Sequence, residues 1–397
     1  MHYYTIIGFP TAKINIYRLA IPSGDMAISE EMELKEILKQ VGLDQLKEGS
    51  LCIFAGAGLS INSGIPRASK IIEYVMDQIF DDKLDKSLIL SPLNKMPFEA
   101  YLEILFRNYI PSPYCVSEKN KIKQMLTAVA RILVRKSDDY TFLHNQFFNL
   151  FDSEQYEPNS NHYFIAEMLK KGVCSFAVTT NFDLMIEKAY KKITEKELRV
   201  YFPKPDQKIK YEFPCLLKLH GGCQEIGTIQ TTLDRIANKG AVTECEAMVD
   251  YTFHSGGHST IMVMGYSFSD VFDVNPAIGG ICESKKEVVI IKHSDGQPSL
   301  SSIWSGRSFF QNFNGWQVNA DTNTVIDVLK ELYPPEKPWT KPFSSTKKPG
   351  DINKLLRNWA VRLKEPHQKM LLCGVFMEAM NRPIRAEFYF NRCLETA

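Results

Sequence analysis

Short runs of apolar residues alternate with segments of helical period along most of the chain. The apolar runs begin at Leu51 and recur at residues 174–181, 214–222, 260–270, 287–294 and 316–321. Nearly continuous apolar strands alternating with helices are what a parallel sheet needs when both of its faces are covered. The pattern therefore predicts an α/β fold with a parallel sheet and helices on both faces.

The same pattern divides the chain into four parts. Residues 1–47 are predicted to form an N-terminal arm and a helix, and residues 48–332 the α/β domain with a helical insertion at about residues 85–170. Residues 333–351 are rich in proline and lysine and predict a linker. Residues 352–397 predict a helical segment whose last two helices resemble a tetratricopeptide-type hairpin. Such a hairpin needs cover from the main domain, another subunit or further repeats.

Composition narrows the class of protein. The 397 residues are 44% hydrophobic, and the 47 Lys and Arg nearly balance the 46 Asp and Glu, so no strong field favours nucleic acid or an anionic membrane. No apolar run approaches the roughly 18 residues of a membrane span, and the start does not resemble a signal peptide. Nine cysteines without a CxxC pair predict neither a disulfide framework nor a four-thiolate zinc site. We therefore expect a cytoplasmic protein.

The first candidate site is the glycine-rich turn after the Leu51 run. Glycines at 56 and 58, separated by Ala57, let the backbone approach a pyrophosphate closely, and Ser60 and Ser63 add hydroxyl donors. The turn lacks the third glycine of GxGxxG, so the dehydrogenase fingerprint is not met. A tight strand-to-helix turn without any ligand is the alternative interpretation of this fragment alone.

Polar residues also follow the next two apolar runs. Thr180 and Asn181 end the second run and Asp183 lies just beyond it, where side chains meet the ligand crevice of an open α/β sheet. An N-cap of the following helix is the alternative role for Asn181 or Asp183. His220, followed by two glycines, is a candidate base, and the alternative is a structural histidine.

The remaining candidates follow the fourth apolar run or precede it. Gly265 and Ser267 could receive a ribose or phosphate, and Asp270 could cap the next helix. His254 and His258 have no carboxylate or thiolate at metal-ligand spacing, so they are interpreted as loop residues.

Together these fragments resemble the sirtuin NAD-binding domain. GAG-x-S-x-x-SGIP, T-x-N-x-D, K-L-H-G and G-x-S occur in this order over roughly residues 48–330. The resemblance implies a Rossmann-like fold. The GYSFSD-type motif and the absent zinc ribbon are most similar to the bacterial sirtuin-like domains of anti-phage systems, which hydrolyse NAD instead of deacylating lysine.

The resemblance implies a role for each candidate. Gly56, Ala57, Gly58 and Ser60 would hold the pyrophosphate of NAD, with Ser63 and Thr180 also lining the site, and Gly265 and Ser267 would face the adenosine half. Asp183 would recognise the nicotinamide amide. Asn181 would position the attacking water, and His220 would bind the ribose hydroxyls and act as general base. NAD would be the substrate, and no metal is implied.

Three departures weaken a deacylase interpretation. Arg67-Ala68-Ser69 replaces the Asp-Phe-Arg of sirtuins, and Thr180 stands where deacylating sirtuins carry glutamine. Cys215, Cys223 and Cys245 lack zinc-module spacing.

The leading hypothesis is an NAD glycohydrolase, the effector of an anti-phage system that depletes NAD. It would act as a homo-oligomer, or under the control of a separate sensor or ATPase. An NAD-dependent deacylase or ADP-ribosyltransferase is the first alternative, and a non-catalytic nucleotide-sensing module is the second.

Overall fold

The computed structural model describes residues 33–65, 80–81, 83–90, 151, 156–203, 210–225, 228, 239–268, 274–303, 308–336, 366–379 and 382–396. Within these ranges an eight-stranded sheet has the order β3-β4-β2-β1-β5-β6-β8-β7. Its strands are β1 (Leu51–Ala55), β2 (Cys174–Thr179), β3 (Arg199–Tyr201), β4 (Cys215–Lys218), β5 (Thr260–Met264), β6 (Glu287–His293), β7 (Ser299–Ser302) and β8 (Asn314–Ala320).

Nine α-helices lie in the described ranges. They are α1 (Leu34–Gln40), α2 (Lys83–Leu90), α3 (Ser160–Lys170), α4 (Met185–Thr194), α5 (Lys239–Asp250), α6 (Val274–Gly279), α7 (Thr322–Leu332), α8 (Pro366–Ala379) and α9 (Pro383–Thr396). Short 3-10 helices span Ala57–Ser63 and Ser308–Phe310, and a π-helix spans Tyr251–Ser255.

The central strands are buried on both faces, as their continuous apolar runs predicted. In β1, Leu51 and Ile53 join the core beneath α1, α3, α4 and α7, whereas Cys52 and Phe54 join the core beneath α5 and α6. Alternate side chains of a strand point to opposite faces, so a strand covered on both faces is apolar throughout. The predicted parallel sheet with helices on both faces is confirmed.

Two edge strands escaped the sequence analysis. β3 has only three residues, and β7 has the largely polar sequence SLSS. β7 pairs with β8 in antiparallel register, with Ser299 opposite Asn319 and Ser302 opposite Trp316, whereas the other strand pairs are parallel. An edge strand needs fewer apolar residues because one side and part of a face meet water, so no hydrophobic run marks it.

The strand order reverses at β1. This strand pairs with β2 on one side and with β5 on the other, although β3 and β4 come between them in sequence. In open α/β sheets, ligands bind at the carboxyl ends of the strands where such a reversal opens a crevice. The fold therefore directs attention to the residues that follow β1, β2 and β5.

The segment predicted as a linker begins with residues that contact the domain. The Tyr333 hydroxyl accepts a hydrogen bond from the Leu46 backbone N–H at 2.8 Å and donates to the Leu43 carbonyl at 3.0 Å. Lys170 forms a 2.6 Å ion pair with Glu336. Residues 337–351, the arm at residues 1–32 and residues 91–150 of the predicted insertion lie outside the described residues, so those domain assignments stay predictions.

The two C-terminal helices pack on each other and on α2. A Cβ at Gly374 of α8 would lie 2.3 Å from the ring of Phe390 in α9, so the helices meet where a side chain is missing. Asp85 of α2 is 1% exposed and pairs with the Arg385 guanidinium and with the Tyr389 hydroxyl, the latter at 2.6 Å. This Asp85 cluster fixes α9 against α2.

Replacing the buried carboxylate should weaken this attachment. We expect Asp85→Asn to lower the free energy of unfolding by about 1.5–3 kcal/mol, because the buried side chain at position 85 loses the charge that binds the Arg385 guanidinium and the Tyr389 hydroxyl. Urea unfolding of the full chain measures the change. Asp327→Asn, in the exposed Asp327–Lys330 pair, is the matched control and should cost less than about 1 kcal/mol. Equal losses in the two variants would contradict the assignment.

Candidate functional site

The glycine-rich turn after β1 is held against the end of β5. The Gly56 N–H donates to the Met264 carbonyl and the Gly58 N–H donates to the Gly265 carbonyl, both at 2.8 Å. Gly56 is buried, whereas Ala57 and Gly58 are exposed. Two of the backbone donors that the sequence analysis assigned to a pyrophosphate are thus engaged by the neighbouring strand end.

Glycine is required here because two backbones approach closely. A Cβ at Gly56 would lie 2.5 Å from the Gly265 carbonyl oxygen, and a Cβ at Gly58 would lie 2.8 Å from the same atom. Gly265 itself has φ +64°, and its Cβ would lie 2.6 Å from the Leu59 nitrogen. All three glycines serve the same contact between the ends of β1 and β5.

Asn181 lies at the end of β2, directed towards the glycine-rich turn. The Thr179 hydroxyl donates to the Ala55 carbonyl at 2.8 Å and accepts from the Asn181 N–H at 3.0 Å, which fixes the turn. The Asn181 amide nitrogen donates to the Gly56 carbonyl at 3.2 Å. Its Oδ1 is buried and has no hydrogen-bond partner among the described residues.

Ser60 and Asp183 are joined beneath this turn. The Ser60 hydroxyl donates to Asp183 Oδ2 at 2.8 Å, and the Asn181 amide nitrogen lies 3.4 Å from Ser60 Oγ. Asp183 Oδ1 accepts from the Met185 N–H at 3.0 Å, but the N-cap of α4 is Leu184, so the alternative interpretation of Asp183 as the N-cap is wrong. Ser60 is 1% exposed and Asp183 is 5% exposed, so this hydrogen bond is shielded from water.

His162 of α3 completes this network, and the sequence analysis missed it. Its Nδ1 accepts from the Asn159 N–H at 3.1 Å, and its Nε2 lies 3.2 Å from Ser60 Oγ. The Asn159 side chain accepts from the Asn161 N–H and donates to the Leu59 carbonyl at 2.7 Å. The spacing Asn-x-x-His, a capping box at the start of a helix, is the signal that could have drawn attention to it.

Burial keeps the His162 ring neutral. Desolvation lowers its pKa from 6.5 to about 4, although the Asp183 carboxylate opposes the shift. With Nδ1 accepting a backbone hydrogen bond, the single ring proton of the neutral form resides on Nε2. His162 therefore donates to Ser60 and does not accept from it.

His220 follows β4, the strand next to β2. Thr179 and Lys218 are paired in register, and the Leu219 N–H donates to the Thr179 carbonyl at 2.9 Å. Asn181 and His220 each lie two residues beyond that paired position, so both are at the carboxyl ends of their strands. His220 is 6% exposed and the next residue, Gly221, has φ +83°.

A buried lysine supports the Asp183 turn from below. Lys218 is fully buried, and its ammonium group forms a 2.7 Å ion pair with Glu187 of α4 and donates to the Asp183 carbonyl. Gln224 donates to the same Glu187 carboxylate at 3.1 Å. These contacts connect the end of β4 to the turn that carries Asn181 and Asp183.

The other predicted site residues lie around this centre. Ser63 is buried, and its hydroxyl has no partner among the described residues. Thr180 is half-buried beside Asn181, and Ser267 is exposed after β5. Ser269 and Asp270 of the fourth motif lie outside the described residues. The fold thus gathers the four motifs at the carboxyl ends of the central strands. Their binding roles stay predictions.

Of the two histidines interpreted as loop residues, His254 instead lies in the π-helix Tyr251–Ser255. His258 lies in a loop, as predicted. It is 4% exposed, its Nε2 hydrogen-bonds to the Thr252 carbonyl at 2.7 Å, and burial lowers its pKa to about 4. It lies just before β5 and therefore at the amino ends of the strands, whereas the site is at their carboxyl ends.

Comparison with known proteins covers three of the four motifs, and the glycine-rich turn at residues 56–66 lies outside the matched residues. The family model of the SIR2-like domain matches residues 175–303, a span that runs from β2 to the residue after β7. Residues 175–303 are thus similar to a SIR2-like domain. The match supports an NAD-binding, NAD-utilising function of the sirtuin type. No curated protein sequence matches the chain.

Solved Sir2 structures resemble the chain only distantly. One described as "Structural Basis for the Mechanism and Regulation of Sir2 Enzymes" has 14% identity and a TM-score of 0.36, covering 76% of this chain and 97% of its own. A Sir2 mutant with a p53 peptide and NAD has 13% identity and a TM-score of 0.34 at the same coverages. Identities and TM-scores this low carry no further argument.

The described residues contain neither a metal cluster nor a membrane-spanning helix. No group of three or more His, Cys, Asp and Glu side chains in the described ranges could hold a metal ion. No helix in this part of the chain is both long and apolar enough to cross a bilayer.

The close contact around Gly56 gives a first test of the site. We expect Gly56→Ala to lower the free energy of unfolding by about 1–3 kcal/mol, because the new methyl group must push the Gly265 backbone away. Gly257→Ala is the matched control, since nothing lies within 4 Å of its Cβ position. Thermal and urea unfolding measure both variants. If Gly56→Ala and Gly257→Ala lowered the free energy of unfolding equally, the ends of β1 and β5 would not be in close contact.

The buried histidines His162 and His258 predict that stability depends on pH. The unfolded chain protonates them near pH 6.5, whereas the folded chain keeps them neutral down to about pH 4. The unfolded state then binds more protons, so the free energy of unfolding should fall as the pH decreases from 6.5 to about 4. Urea unfolding across this window should show a smaller fall in His162→Gln, because glutamine does not titrate. An identical slope in both proteins would refute this source of the pH dependence.

Proposed function

We propose that the SIR2-like domain binds NAD as a substrate and hydrolyses its nicotinamide–ribose bond. The observation that carries the proposal is the buried Asn181 Oδ1, which has no partner among the described residues. Leaving a buried acceptor without a hydrogen bond costs about 1–3 kcal/mol, so such an atom indicates a water or ligand site. It lies at the strand reversal beside the glycine-rich turn, where α/β sheets bind ligands.

The orientation of the Asn181 side chain follows from its neighbours. Its amide group faces the Gly56 carbonyl oxygen, an acceptor, so the NH2 end must point there and the oxygen must point away. A carboxamide oxygen accepts hydrogen bonds from water or from a hydroxyl group. Asn181 is therefore suited to hold a water molecule by one of its hydrogens while the oxygen of that water faces a substrate.

His220 is the candidate base for the same water or for a ribose hydroxyl. It is nearly buried and follows the strand adjacent to that of Asn181. An imidazole has an ordinary pKa close to neutral pH, which suits proton transfer. NAD would supply a sugar–nitrogen bond that breaks as positive charge develops on the sugar. The domain then has to orient water and accept one proton, which Asn181 and His220 together can do.

The remaining assignments follow the resemblance. Gly56, Ala57, Gly58, Ser60 and Ser63 would lie near the pyrophosphate, and Gly265 and Ser267 near the adenosine half. Thr180 would line the pocket, and Asp183 would meet the nicotinamide amide. Ser60 directs its only hydroxyl hydrogen to Asp183, which supports a role in orienting that carboxylate.

The proposal extends to the biological role. The chain would be the effector of an anti-phage system that depletes cytoplasmic NAD, acting as a homo-oligomer or under a separate sensor or ATPase. The support is the GYSFSD-type motif and the departures from deacylating sirtuins at residues 67–69 and at Thr180. An uncontrolled NAD hydrolase would harm its own host, so assembly is the expected point of control.

Nicotinamide release tests the site directly. Purified full chain is incubated with NAD, with no acylated peptide present, while nicotinamide, ADP-ribose and molecular mass in solution are measured. We expect release by the wild type and a loss of at least about 100-fold in both Asn181→Ala and His220→Ala, because each removes a group that handles the attacking water. Asn319→Ala on β8 and His254→Ala in the π-helix are the matched controls and should retain activity.

Three outcomes would decide against the proposal. Persistent activity in both site variants would overturn the residue assignment. Release that requires an acylated peptide or an acceptor protein would favour a deacylase or ADP-ribosyltransferase. Tight NAD binding without turnover in every assembly state would favour a sensing module.

A further inference from the structure

The Ser60 hydroxyl uses its full hydrogen-bonding capacity. A hydroxyl has one donor hydrogen and two acceptor positions. Ser60 donates to Asp183 Oδ2, and it accepts from the neutral His162 ring at 3.2 Å and from the Asn181 amide at 3.4 Å. The three partners together determine where the hydroxyl hydrogen points.

His162 is the partner whose position is fixed independently of the site. Its Nδ1 is held by the Asn159 N–H at the start of α3, so the ring cannot turn to exchange its two nitrogens without losing that bond. The ring is 1% exposed, and α3 packs against α4 and β2. The ring proton on Nε2 is thereby aimed at Ser60 by the helix itself.

We propose that His162 is a positioning residue of the NAD site, whose Nε2–H fixes the Ser60 hydroxyl so that Ser60 orients both the Asp183 carboxylate and the Asn181 carboxamide. This inference rests on the proposed function. Without the His162 donor, the hydroxyl can rotate, Asp183 Oδ2 loses a constant partner, and the Asn181 oxygen is less well directed. A helix cap would then act on the reacting centre through one intervening side chain.

Two substitutions separate this role from simple capping of α3. Glutamine carries its NH2 group at about the reach of the imidazole Nε2, so His162→Gln keeps a donor for Ser60 and loses the acceptor for Asn159. Asparagine carries its oxygen near the position of Nδ1, so His162→Asn keeps the cap and loses the donor for Ser60. If His162 positions Ser60, His162→Gln should have the higher kcat. If His162 only caps α3, His162→Asn should have the higher kcat.

Nicotinamide release and unfolding are measured on the full-length variants. We expect kcat of His162→Gln within about threefold of wild type and kcat of His162→Asn lower by about 5- to 10-fold, the value of one hydrogen bond. His162→Asn should nevertheless be the more stable variant. In a Ser60→Ala background, His162→Asn should lower kcat further by less than about twofold, because His162 then has no hydroxyl to fix. Equal kcat in the two variants, or a faster His162→Asn, would overturn the proposal.

His258 provides the matched control. It is also a buried histidine with a hydrogen bond from Nε2, but it lies at the amino ends of the strands. His258→Asn should change stability without lowering kcat. A loss of kcat as large as that of His162→Asn would show that the effect reflects general destabilisation.

Nitrogen NMR of the imidazole rings tests the relay without any turnover. We expect His162 at neutral pH to be uncharged with its proton on Nε2, and its Nε2 resonance to shift in Ser60→Ala. A proton on Nδ1, or a ring that does not respond to Ser60→Ala, would overturn the relay. If the wild type releases no nicotinamide, the proposed function fails, whereas the tautomer and the Ser60→Ala response still decide whether the relay exists.

Discussion

The structure depends on the close approach of two backbones, the turn after β1 and the end of β5. Because Gly56 and Gly58 lack side chains, the turn lies directly on Gly265 and its N–H groups are satisfied there. This contact fixes the position at which β1 ends. The 3-10 helix that begins there places Ser60 in the buried interior. Asn181 and Asp183 then reach Ser60 from β2. The polar centre is therefore a consequence of main-chain geometry before any ligand chemistry is considered.

Much of the fold could be predicted because burial on both faces leaves a clear trace in sequence. The runs at β2, β5 and β6 are largely apolar at consecutive positions, which identified them as buried parallel strands, whereas their order in the sheet was not predicted. The strand β7 left no such trace, since a polar edge segment such as SLSS is held by its neighbour's backbone. Its antiparallel direction depends on a connection that no local pattern encodes.

The site was predicted unevenly for a related reason. Motifs at strand ends, such as those with Asn181 and His220, are visible because polar residues interrupt an apolar run. His162 was missed because it lies within a helix whose pattern is complete without it, and because its partner Ser60 is 102 positions away. The two strand ends that frame the catalytic proposal, those of β2 and β4, lie side by side through the pairing of Thr179 with Lys218.

The Asp85 cluster bears on how other molecules could rearrange the C-terminal helices. The carboxylate is held away from water by a guanidinium and a phenol that both belong to α9. An apolar segment packed in place of that helix would leave the Asp85 charge buried without a partner. A protein that displaces α9 would therefore have to insert a cation of its own at Asp85, and a purely hydrophobic competitor could not open this junction.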